Sequence, residues 1–188
     1  MDFSFSFQIN RHKVIEAIVY LDSKRPGIDV FHVLKVLFYA DLAHFQKYFR
    51  PILGDQYCAM KNGPVPSFAY DVIKRNKATV EAKLLKMIDQ KLRIDKPGQY
   101  LCLWANQDFD RSIFSRTDVE CLDQSIDKYA DMTVGNLSLL VHLEPAYKKT
   151  YREGTSTPIP YEAMLPENRE NLNLIIEELR ETAAFVAL

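Results

Sequence analysis

Four side chains in this chain have the chemistry of a reaction centre or a metal site: Asp41, His44, His142 and Glu144. Carboxylates and imidazoles exchange protons and ligate divalent ions. On a helical wheel, Asp41 falls between Leu34 and Leu37, near the centre of an apolar arc, and His44 lies at its edge. A buried carboxylate without a partner costs several kcal/mol or takes up a proton. Asp41 therefore needs a partner. His44 is the local candidate, and Arg50, Lys61 and His142 are those that tertiary structure can bring.

The spacing of these groups favours an internal polar network over a catalytic or ligand-binding pocket. There is no HExxH and no repeated ligand spacing, so a metal site is not predicted, and no cofactor motif is present. GxxxxGK[ST], GxGxxG and GxSxG are absent too. Cys58, Cys102 and Cys121 are odd in number and widely spaced without a CxxC. They read as reduced thiols of a cytoplasmic protein, none in an activating context. His142, at a helix end, and Glu144, before Pro145, are both explained by capping.

The elements that must position these groups follow from periodicity. Val14, Ala17, Ile18 and Leu21 predict a helix ending before Pro26-Gly27. Asp29 caps a second helix over about residues 30–48, with a stripe of Val30, Leu34, Leu37, Phe38, Phe45 and Tyr48 about a third of its circumference wide. Arg50-Pro51 stops it, Tyr57–Met60 is a short strand, Gly63-Pro64 a turn, and Pro66-Ser67 starts a short helix. Lys96-Pro97-Gly98 between two apolar runs signals a hairpin. Ser115 caps a helix to about Tyr129, Thr133 or Asp131 caps the next, Pro145 opens another that Gly154 ends, and an amphipathic helix spans about 168–185.

This predicts a mainly α (α+β) fold of six or seven helices with a small antiparallel hairpin or sheet. At 188 residues with no dividing linker, one domain is expected over 1–188, with an N-terminal arm at 1–9. The arm's MDFSFSFQ lacks a basic region and a long apolar run, so it reads as neither signal nor anchor, and no segment is apolar enough to span a bilayer. The net charge of −1 gives no global attraction to nucleic acid or acidic membranes. The basic run Lys83–Arg93 reads as a solvated helix face.

Taken in order, the segments Leu34–His44, Arg50-Pro51, Met60–Pro66, Leu122–Tyr129 with Asp131–Thr133, and Leu140–Tyr147 resemble the Panacea domain family of SocA-like antitoxins and phage-associated proteins. The likeness covers about residues 12–165. Phe49 stands where the family pattern has glycine, Asn62 replaces an aromatic, and Val36 is atypical. The residues that match the pattern are Lys35, Tyr39, Asp41, His44, Arg50, Pro51, Lys61, Gly63, Pro64, Pro66, His142 and Glu144.

The resemblance implies a cytoplasmic, non-enzymatic antitoxin that binds a cognate protein toxin directly. In the SocA-like branch, such a domain also presents the toxin to an ATP-dependent protease. The matched residues are expected to build a polar network. Phe3, Phe5 and Phe7 of the arm, and Leu172, Ile176 and Leu179 of the last helix, are the expected toxin anchors. The rival readings are an enzyme or metal-binding protein using Asp41, His44 and His142, and a DNA-binding autorepressor.

Overall fold

A computed structural model describes the backbone of residues 5–186. Its axis is α2 (Val30–Tyr48), which Asp29 caps by accepting from the His32 amide at 3.1 Å. Every residue from His32 to Leu42 is buried. A helix covered on all sides runs through the middle of a core rather than along its surface, so the one-third stripe expected from the sequence is too narrow. α1 (Arg11–Lys24), α5 (Arg116–Tyr129), α3 (Ser67–Lys74) and α6 (Val134–Leu143) surround it. Phe49 ends α2 in the left-handed region at φ 57°.

The remaining side of α2 is covered by a small sheet. β1 (Tyr57–Met60) pairs antiparallel with β2 (Gly63–Pro66), Tyr57 opposite Pro66 and Met60 opposite Gly63, and on its other edge with β5 (Thr157–Pro158). The reversal falls on Lys61-Asn62, so Gly63-Pro64 is the start of a strand and not the turn that the sequence suggested. Pro64 and Pro66 have no N–H to give a ladder, and β2 is an edge strand where none is needed.

The basic run divides into α4 (Ala82–Lys91) and β3 (Leu92–Asp95), and β3 is the first arm of the expected hairpin. β3 pairs with β4 (Cys102–Ala105). The hairpin's loop is longer than expected, since pairing resumes at Cys102 and not at Gln99. The 101–103 backbone also bonds to Ile28 and Val30, docking the hairpin on the entry to α2. Ser115 and Asp118 form a reciprocal capping box at α5, and Thr133 caps α6. After α7 (Pro145–Thr150) the chain reaches α8 (Leu172–Val186), so the described residues hold eight α-helices. The fold is mainly α with a small β part. Among the described residues, no helix is long and apolar enough to cross a membrane.

Candidate functional site: the polar groups around the central helix

Asp41 is 1% exposed and accepts three hydrogen bonds, from the Ile52 and Leu53 amides at 2.7 and 3.0 Å and from the Tyr57 hydroxyl at 2.8 Å. The reason is local. The turn after Pro51 is buried, and its next two amides have no strand partner, so a carboxylate one helix away takes their place. Burial pushes the Asp41 carboxyl up to about 7, against the pull of Tyr57 and the two amides. None of the partners expected from sequence, His44, Arg50, Lys61 or His142, is the one used. Asp55, which sequence reasoning missed, does the same for α3 through the Phe68 and Ala69 amides at 3.0 and 2.9 Å. Burial raises it to about 6. Its signal was a helix start at Pro66 with no side-chain oxygen of its own.

A second group holds the Lys61–Pro66 segment through its carbonyls. Lys35, 1% exposed, donates to the Pro64 carbonyl at 2.8 Å and lies 5.3 Å over the Phe31 ring. Burial lowers its ammonium to about 7. His142 faces the Ser138 carbonyl through Nδ1 at 2.6 Å and the Lys61 carbonyl through Nε2 at 3.1 Å. Tyr147 donates to the Met60 carbonyl at 3.0 Å. Lys61's own side chain is exposed. Tyr39 stacks on Tyr129 at 4.1 Å. Burial, and then the Glu144 charge, raises its phenol. Burial likewise raises the Glu144 carboxyl, against the pull of the Ala146 amide in the first turn of α7.

The third group joins α1, α2 and α5. His44 Nδ1 donates to the Arg50 carbonyl at 2.7 Å, leaving Nε2 to accept from the Thr117 hydroxyl at 3.0 Å. Burial lowers its pKa, against the pull of the Arg50 carbonyl and of Asp118, whose Oδ1 lies 3.3 Å from Nε2. Asp118 is fully buried and takes Lys13 Nζ at 2.6 Å, the Ser115 amide at 2.8 Å and Arg50 Nη1 at 3.3 Å. Burial opposes its ionisation, but the Lys13 and Ser115 hydrogen bonds outweigh that and hold its pKa below the usual range. Neither Lys13 nor Asp118 stands out in the sequence, because their pairing joins residues 105 positions apart. Arg50 is half exposed, so Arg50→Ala is expected to cost under about 1 kcal/mol in urea unfolding. A loss above about 2 kcal/mol would show that the exposed arginine matters far more than solvent screening allows.

His32 was also passed over. Its Nδ1 donates to Asp29 at 2.5 Å and its Nε2 to the Met132 carbonyl at 2.8 Å. Both partners are acceptors, which calls for the imidazolium, and the bond to Asp29 raises its pKa accordingly. The ring ties the start of α2 to the turn before α6.

The expected anchors face inward. Phe5 is buried and Phe7 half-buried, both against Phe45 and Tyr161, so these two rings are part of the packing and not free contacts. Phe3 lies outside the described residues. Leu172, Ile176 and Leu179 are half-buried against the core, and the leucine of α8 that stands in solvent is Leu174, 58% exposed.

Asp41, His44 and His142 thus have separate partners, mostly backbone atoms. Among the described residues, no group of three or more His, Cys, Asp or Glu could hold a metal ion. The arrangement defines a helical module whose buried charges brace turns around one central helix. The chain belongs to the antitoxin SocA-like Panacea domain family, whose model matches residues 33–148, from the first buried turn of α2 into α7. Comparison with curated proteins and with solved structures finds no match.

Proposed function

We propose that this chain is the neutralising half of a toxin–antitoxin pair: it binds a cognate protein toxin directly in the cytoplasm and performs no catalysis. Family membership over residues 33–148 carries this reading. It is supported by the way Lys35, Asp41, His44 and His142 are committed to backbone carbonyls and amides, which suits a scaffold better than a reaction centre. The polar network sets the shape of the domain, and toxin contact belongs to the outer surface. Delivery of the bound toxin to an ATP-dependent protease is the second part of the proposal.

The test is co-expression with the product of the adjacent open reading frame. That product is expected to arrest growth alone, to be harmless beside this chain, and to co-purify with it. A shortened toxin half-life in the presence of this chain supports delivery to a protease. Absence of any complex, or toxicity unrelieved by the chain, overturns the reading.

A further inference from the structure

Phe49 closes α2 at φ 57°, a left-handed conformation that glycine takes freely and a bulky side chain rarely adopts. Its half-buried ring carries the Arg169 guanidinium, 4.5 Å from the ring centroid. Arg169 Nη1 also donates to the Gln46 carbonyl at 2.8 Å, one of the last-turn acceptors that α2 leaves open. A strained backbone persists where its surroundings need it, and what Phe49 touches is the last segment of the fold. That segment, 166–186, is attached lightly. None of the described side chains of α8 is buried, and its apolar contacts, Leu172, Ile175, Ile176 and Leu179, are half-buried. A cleft of about 670 Å³ lies between Phe49 and the start of α8, with Asn171, Leu174, Ile175 and Glu178 along it. Among the described residues, no backbone hydrogen bond joins the segment to the rest of the fold. Ion pairs meet it at both ends, Lys149 with Glu167 and Glu162 with Arg180, the latter at 3.6 Å.

We propose that 166–186 is a strap that opens and recloses as one unit while the rest of the domain stays folded, and that Phe49 is its latch. Regions with few buried apolar contacts open at free energies far below that of global unfolding. The end of α2 by itself would be served better by glycine at position 49, so the ring is kept for the cation it carries. A guanidinium over an aromatic face is a modest attraction, and so is a partly exposed ion pair such as Arg180 with Glu162. Two modest ties, one at each end, hold the strap shut without locking it. Opening bares the Phe49 ring and frees the Gln46 carbonyl and Glu162, groups that the strap touches when shut. The surface at the end of α2 therefore has an occupant from its own chain.

Native-state hydrogen exchange on the full chain, read amide by amide by NMR, tests this. The α8 amides are expected to exchange at least about a hundredfold faster than those of α2, with one common protection factor from Ile176 to Thr182. Fraying of a terminal helix would instead give protection that falls steadily toward its C-terminal end. Phe49→Gly removes the ring while giving residue 49 a backbone suited to φ 57°. It should speed exchange by about fivefold along all of α8, as much at Arg180 as at Ile176, with α2 still the slower. Glu162→Gln keeps an acceptor for the Phe5 amide but loses the charge facing Arg180, and should speed the same amides by about threefold. Protection of α8 equal to that of α2 overturns the proposal, as does a graded profile along the helix. So does a change confined to the amides beside the altered residue, since the segment then does not move as a unit. Exchange in Phe49→Gly indistinguishable from wild type overturns it too, because the ring then latches nothing.

Discussion

Asp41→Ala is expected to lower the unfolding free energy by about 4 kcal/mol, measured by urea denaturation at pH 7. It removes one acceptor from three buried donors, the Ile52 and Leu53 amides and the Tyr57 hydroxyl. Each donor left unpaired costs roughly 1–3 kcal/mol. Asp41→Asn should cost far less, because its carbonyl keeps both amides and its NH₂ can donate to the Tyr57 oxygen. A loss under about 1.5 kcal/mol for the alanine variant would mean that water replaces the carboxylate, contrary to its burial.

The same carboxyl makes a pH prediction. Its folded pKa is raised from 3.8 to about 7, chiefly by burial. The native state therefore holds a proton that the unfolded chain has already lost between those values. Asp41's contribution is fully present below pH 3.8 and is lost as pH rises through about 7. Asp55, raised to about 6, acts in the same direction. Lys35, lowered from 10.5 to about 7, makes the fold more stable as pH climbs between those values. Subtracting the Asp41→Asn profile isolates the first group: the wild-type advantage should shrink from pH 5 to pH 8. A difference that is flat or grows with pH would show that Asp41 stays ionised when buried.

Gly63→Ala is expected to cost about 3 kcal/mol, from backbone strain and overpacking together. Gly63 has φ +99°, and a Cβ there would stand 2.6 Å from Val141 Cγ2 and 3.3 Å from Lys35 Cε. β2 thus passes closer to α2 and α6 than any side chain at this position permits. The double variant with Val141→Ala should recover much of the steric part relative to Val141→Ala alone, leaving the strain of a positive φ and the tight contact with the residue 141 Cβ at 3.1 Å. If Gly63→Ala is nearly neutral in thermal unfolding, the close approach of strand and helix is not real.

Much of the architecture was legible along the chain. Asp29, Ser115 and Thr133 mark their helices because a short polar side chain beside an apolar repeat has one economical place to go, the free amides of the first turn. The Panacea likeness was readable for a similar reason, since its motifs fall on the central helix, the Lys61–Pro66 segment and the His142 region in order. The breadth of α2's burial was not, because a wheel reports which face is most apolar and not how many neighbours enclose it. The residues named as anchors, Phe5, Phe7, Leu172, Ile176 and Leu179, all pack to some degree against the core: amphipathic patterning identifies a buried side without saying whether this fold or another chain covers it.

The sequence by itself determined that Asp41 needed partners, since the cost of a bare carboxylate among leucines is local chemistry. Only the tertiary structure decided that they are Ile52, Leu53 and Tyr57, because those donors reach Asp41 through the path of the chain after Pro51 and not through spacing along α2. Helix period and capping act over one or two turns. The pairing of Lys13 with Asp118, or of Lys35 with the Pro64 carbonyl, depends on how whole elements settle against one another, and no periodicity encodes it.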